Sequence, residues 1–203
     1  MSPRPRRDHL RRPELLSAAA TVIRRRGLAR ARVADVAAEA GTSAPSVLYY
    51  FASKAQLLKE ALTYAEERYY EELAVTLGQT ESARDRLLLI AGWSAADGDY
   101  DAALWMELWA WALRDPALAA TRAELDARWR GTIAEVVRYG QARGEFGPAD
   151  PEEFAVLIGA LLDGLAVQIA LRDSEVTPEL VRELALKLAE RELGCELYEG
   201  ARC

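Results

Sequence analysis

The chain reads as an all-α protein of about nine helices, with a short three-helix helix-turn-helix part at the N-terminus and a longer helical part after it. Three observations predict this. Apolar residues recur at i, i+3, i+4 and i+7, and no stretch alternates with period two for long enough to be a strand. Gly, Pro and capping residues fall between the periodic segments. At 203 residues, 51% of them hydrophobic, the chain can bury a real core.

The elements follow in order. Residues 1–12 (MSPRPRRDHLRR) are rich in Pro and Arg and read as a basic flexible arm. A first helix is expected over 13–26, with Leu15, Leu16, Ala19, Val22 and Ile23 facing inward. A second covers 31–40, with apolar residues at 33, 36, 37 and 40, and Gly41 follows it as a C-terminal stop. Ser43 can cap a third helix, ending near 50, with Pro45 tolerated in its first turn. A fourth, capped by Ser53, is expected over 53–77 and ends at Gly78. Further helices are expected over 82–96, broken by the DGD at 97–99, over 100–114, ended by Asp115-Pro116, and over 116–143, stopped by Gly144 and Gly147-Pro148. The last two cover 150–171, with Pro151 in the first turn, and 177–193, with Thr177 as cap, Pro178 at N1 and Gly194 after the end. The domain reading is an arm at 1–12, a helix-turn-helix domain at 13–58 with its two inner helices at about 31–50, and a second domain at 59–203.

The net charge of −6 hides an asymmetry. Residues 1–60 hold 12 Lys+Arg against 5 Asp+Glu, a balance of +7, whereas the remaining 14 and 27 leave 61–203 at −13. A basic third on an acidic body predicts a localised polyanion-binding face. No apolar stretch opens the chain, so no signal peptide is expected. The apolar run 154–171 is interrupted by Asp163 and Gln168, which fits a buried helix or subunit interface better than a membrane span. With His9 the single histidine and Cys195 and Cys203 the only cysteines, no His/Cys metal site is expected, nor any cofactor. The reducing cytoplasm is the expected compartment.

A helix-turn-helix of this size lays its second helix in a DNA major groove, where the N-terminal part of that helix reads bases. The candidates are Thr42, Ser43, Ala44, Pro45, Ser46, Leu48 and Tyr49. Hydroxyls can bond phosphates or base edges, and Ala44, Pro45 and Leu48 can meet thymine methyls. No Arg, Asn or Gln lies in 42–51, so guanidinium contacts must come from Arg30 and Arg32, if these are more than solvated arginines. Val33, Val36, Ala37, Ala40 and Val47 read as core.

The stretch GLARARVADVAAEAGTSAPSVLYYFASK at 27–54 resembles the TetR family of bacterial repressors. It carries the family's Gly27, Val33, Asp35, Ala37, Ala40, Gly41, Ser43, Phe51, Ser53 and Lys54 without a gap. Ala31 and Arg32 replace the usual Thr-Thr, so the second helix is expected to lack its cap, and Tyr50 stands where His is common. The resemblance implies nine helices, with tyrosine hydroxyls of Tyr49 and Tyr50 and the amine of Lys54 on phosphate. Phe51 reads as a core anchor.

The later part, through Leu104 to Pro116, Leu125 to Arg130 and Leu161 to Leu165, is similar to the C-terminal domain of the BetI-like subgroup. That likeness implies ligand binding and dimerisation there, and a small-molecule sensor. An inducer pocket lined by some of Tyr64, Arg68, Trp93, Trp105, Trp109 and Trp129 is expected, against the plainer reading in which the tryptophans are core. Aromatic walls suit an apolar or cationic ligand. Glu107 and Asp163 are possible polar fixers, but the reading favoured for Asp163 is as an arginine's partner at a helix contact. Ala160, Gly164 and Val167 on one helix with Leu180 and Leu184 on the next are the candidate homodimer seam. The expected function is a sequence-specific, dimeric DNA-binding transcriptional regulator, a repressor released from a pseudo-palindromic operator by a small molecule. A TetR-like DNA-binding protein without a ligand, acting in chromosome organisation, is the alternative. A helical enzyme is a remoter one, with no catalytic constellation to support it.

Overall fold

The computed structural model describes residues 8–93 and 102–196, and among them there are helices and no strand. In chain order the helices are α1 (Asp8–Arg26), α2 (Val33–Glu39), α3 (Ala44–Tyr50), α4 (Lys54–Gln79), α5 (Ala83–Trp93), α6 (Ala102–Ala112), α7 (Pro116–Ala142), α8 (Pro151–Ala170) and α9 (Pro178–Leu193). They group into two compact units. One holds the chain through Tyr69 together with Ala103–Arg122, and the other holds Tyr70–Ala102 and the chain from Ala123 onward.

In the first unit, Leu15, Ala19 and Ile23 of α1 are buried, as are Val36 and Ala37 of α2, Val47 of α3 and Leu57, Ala61 and Leu62 of α4. The i, i+3/i+4 spacing puts these side chains on one stripe of each helix, which is the stripe that leaves water. The start of α1 departs from expectation. It begins at Asp8, so part of the stretch read as an arm is helical and Pro13 lies inside the helix. The reason is tertiary. The Arg12 guanidinium donates to the Tyr50 carbonyl at 2.9 Å, pairs with Glu60 and lies over the Phe51 ring, 4.7 Å from its centroid. Helix α4 runs through Gly78 rather than stopping there.

In the second unit, Leu73 and Leu77 of α4, Leu87 and Ile90 of α5, Ile133 and Val137 of α7, Phe154, Ile158 and Leu162 of α8 and Val181 and Leu193 of α9 are buried. Asp150 caps α8, accepting from the Glu152 and Glu153 amides at 2.9 and 3.0 Å, and Thr177 caps α9. The start of α5 is capped from a distant position. Glu145 Oε2 accepts from the Ala83 amide at 2.7 Å and the Arg84 amide at 3.2 Å, while Oε1 accepts from Arg143 at 2.6 Å. The Arg143 bond, then those amides, holds the Glu145 carboxyl below its ordinary pKa. A carboxyl whose pKa is depressed on folding contributes stability that is present above its unfolded pKa, about 4.3, and lost as pH falls through the folded value. Glu145→Ala, which removes the cap, should cost about 0.5–2 kcal/mol at pH 7. Its melting temperature should also fall less steeply between about pH 5 and 3 than the wild type's, as thermal melts across that range would show.

Helix α8 has a mean hydropathy of 1.7, and by length and composition it could cross a membrane, yet only 33% of that stretch is buried. Its buried side holds Phe154, Ala155, Ile158, Gly159, Leu162 and Ala166. Its other side leaves Val156 56% exposed and Leu157 42% exposed, with Ala160 and Gly164 exposed beside them.

Candidate DNA interface and ligand site

The turn between α2 and α3 is built by local chemistry. Gly41 takes a left-handed φ of +60°, where a side chain would be strained, and the Thr42 amide then reaches back to the Ala37 carbonyl at 2.8 Å. Ser43 caps α3 as its sequence predicts, its Oγ accepting from the Ser46 amide at 3.3 Å. Arg32 offers α2 no side-chain cap, also as expected. The substitute is Asp35, whose Oδ2 accepts the Arg32 amide at 3.2 Å while Oδ1 pairs with Arg26 at 3.1 Å.

The packing of α3 decides which side chains are available to DNA. Val47 and Phe51 are fully buried. The same helix turns Leu48 outward, and Tyr49 is 79% exposed, its ring edge-on to Tyr50 at 5.2 Å. Ser43 and Pro45 are exposed, and Thr42, Ala44, Ser46 and Tyr50 are half-buried. A large aromatic ring held in water at the head of a helix-turn-helix is unexplained by packing and fits a groove-facing contact.

The basic residues divide by pairing. Arg25 pairs with Glu39 at 2.9 Å and Arg26 with Asp35 at 3.1 Å, so acidic α2 neutralises that end of α1. Arg30, Arg32 and Lys54 are exposed, and none has an ion-pair partner among the described residues. Of the candidate cations, these three remain available to phosphate.

The aromatic residues singled out as a ligand wall fall in both units, and each group is described within its own. In the first, Trp105 and Trp109 pack edge-on with ring centroids 5.6 Å apart, Trp105 being buried. The Arg122 guanidinium lies 4.8 Å over the Trp109 ring. The Trp109 indole N–H is buried and has no hydrogen-bond partner among the described residues. Tyr64 is half-buried and Arg68 exposed, and Glu66, between them on α4, is a buried carboxylate at 5% exposure. In the second unit, Trp129 is buried against Tyr70, ring centroids 6.2 Å apart, with Arg128 over the Tyr70 ring at 5.2 Å. Asp163 is half-buried on α8, and the Trp93 side chain lies outside the described residues. The residues of the expected dimer seam are all at least partly exposed, Ala160 and Gly164 fully so and Val167, Leu180 and Leu184 in part.

Glu107 has a role that its sequence position did not suggest. Its Oε1 accepts the Leu28 amide at 3.1 Å, just after Gly27 at φ +74°. A Cβ on Gly27 would come within 3.1 Å of that oxygen. Arg122 and Glu66 were missed as well. Each lies in an ordinary helical pattern and is distinguished only by what packs on it.

Comparison with known proteins agrees with this geometry. The profile of the tetR family of bacterial regulatory proteins matches residues 15–61, and that of the BetI-type transcriptional repressor C-terminal domain matches residues 83–194. The transcriptional regulator BetI of Cronobacter sakazakii is 26% identical over 196 residues, covering 91% of each chain. A transcriptional regulator from Saccharomonospora viridis, solved in complex with choline, superposes with a TM-score of 0.82 at 28% identity, over 92% of this chain and 98% of that one. A TetR-family regulator from Rhodococcus sp. is 32% identical with a TM-score of 0.75, over 90% and 98% of the two chains. The chain belongs to the BetI-type branch of the tetR family of bacterial transcriptional regulators.

Proposed function

We propose that the protein is a cytoplasmic, homodimeric repressor that leaves a pseudo-palindromic operator when a small cationic or apolar molecule binds. The observation that carries the DNA part is the set of exposed groups at the helix-turn-helix: Leu48 and Tyr49 on α3, with the unpaired Arg30, Arg32 and Lys54 around it. Thr42, Ser43, Ala44, Pro45, Ser46 and Tyr50 complete the groove-facing set, with phosphates held by the cations and hydroxyls.

The dimer reading rests on the apolar outer side of α8, which in water is costly for a single chain. Ala160 and Gly164 carry little side chain and allow close helix approach, with Val167, Leu180 and Leu184 beside them. Two recognition helices then address half-sites about 34–36 Å apart, or a near multiple.

The ligand reading rests on Trp105, Trp109 and the buried Glu66, all in the first unit. An aromatic face attracts a quaternary ammonium group, and the buried Trp109 N–H lacks the acceptor that a ligand oxygen would supply. The Saccharomonospora viridis relative is a choline complex, so choline is the first ligand to try. Release requires that the ligand bind the DNA-incompetent arrangement more tightly, since equal affinity shifts nothing. The test is anisotropy of a labelled operator duplex with rising choline, together with tryptophan fluorescence. Release with quenching, both lost in Trp109→Ala, is expected. Release that survives Trp109→Ala undiminished would refute this lining.

A further inference from the structure

One cavity lies apart from the recognition helix and the aromatic pair, with Lys54 on its rim. It lies within the first unit, between the turn after α1, the start of α4 and the outer side of α6, and it measures about 480 Å³. That is inside the range of roughly 300–1,000 Å³ usual for small-molecule sites. Its walls are Leu28, Ala29, Ala55, Leu58, Ala110 and Trp111, and its charged groups are Lys54, Arg114 and Glu107.

The charges are not equivalent. Glu107 is already engaged, accepting the Leu28 amide. Arg114, in the turn after α6, donates from its guanidinium to the Ala110 carbonyl at 3.3 Å, and neither it nor Lys54 has an ion-pair partner among the described residues. An apolar trough with two cations that have no ion-pair partner among the described residues, against one carboxylate, is complementary to a molecule with an apolar body and one acid group. A cation would meet two like charges and a carboxylate whose Oε1 is already occupied.

We infer that this cleft binds an amphiphilic organic anion, whose acid group sits on Arg114 and Lys54 and whose apolar part lies along Trp111, Leu28 and Leu58. Because Lys54 is also a proposed phosphate contact, the anion and DNA compete for it. The competition rests on the DNA reading above, whereas the binding does not.

The test uses the full chain and decanoate below its micelle concentration, with decyltrimethylammonium and 1-decanol as the cationic and uncharged comparisons. Calorimetry without DNA should show saturable decanoate binding, one per protomer, tighter than either comparison. Arg114→Ala should weaken decanoate about ten-fold or more, as loss of a charged hydrogen bond does, while leaving operator affinity unchanged. Ala110→Trp, at an exposed position, should fill the cleft and abolish binding with the thermal midpoint retained. Equal binding of the cation, or decanoate affinity unchanged in both variants, overturns the site. Decanoate binding as expected but with no loss of operator affinity at saturation overturns the Lys54 phosphate contact and leaves the site standing.

Discussion

Phe51→Ala is expected to destabilise the first unit by about 3–5 kcal/mol, the cost of truncating a buried phenylalanine, and to abolish operator binding with it. The ring is fully buried, the Arg12 guanidinium lies over it at 4.7 Å, and the Phe51 amide closes α3 by bonding the Val47 carbonyl at 3.2 Å. The ring thus sits at the end of α3 under an arginine of α1 that also pairs with Glu60 of α4, and its loss leaves a cavity there. Leu48→Ala, three residues away in sequence, should cost less than about 0.5 kcal/mol because Leu48 is exposed. It should weaken DNA binding without unfolding. Urea unfolding followed by circular dichroism, beside mobility shifts, separates the two effects.

Operator affinity is expected to fall by roughly 10³-fold between 50 and 200 mM salt, because each phosphate neutralised releases a counterion. Arg30, Arg32 and Lys54 of two protomers supply about six such contacts, near the lower end of the range in which that loss is seen. Lys54→Ala should weaken all duplexes alike and flatten the salt slope. Tyr49→Ala or Ser46→Ala should act more on the operator than on random DNA. Affinities measured across a salt series give both quantities.

What could be read from the sequence was local. The turn at Gly41 and the Ser43 cap involve residues within a few positions of one another, so cap chemistry and helical periodicity suffice to place α2 and α3. The i, i+4 spacing of Trp105 and Trp109 likewise predicts that their rings meet. The start of α1 was not legible, because it depends on Arg12 reaching Tyr50 and Glu60, 38 and 48 residues away. The Glu145 cap on α5 spans 62 residues and the Glu107 bond to Leu28 spans 79, and no spacing rule announces either. The guanidinium of Arg122 over Trp109 belongs to the same class, since it follows from how α7 begins against α6. On the DNA face, periodicity already set the core Val47 apart from the candidates, but only packing distinguishes the exposed Leu48 and Tyr49 from the half-buried Thr42, Ala44, Ser46 and Tyr50. Only pairing separates Arg30 and Arg32 from the neutralised Arg25 and Arg26.

The most direct test of sequence-specific DNA binding is to incubate the protein with fragmented genomic DNA at physiological salt, recover what it holds and sequence it. Strong enrichment of a few fragments sharing a pseudo-palindrome is expected, its half-sites about one helical turn apart or a near multiple, with enrichment lost in Tyr49→Ala. Recovery of fragments in proportion to their abundance, with no shared motif, would contradict sequence-specific binding.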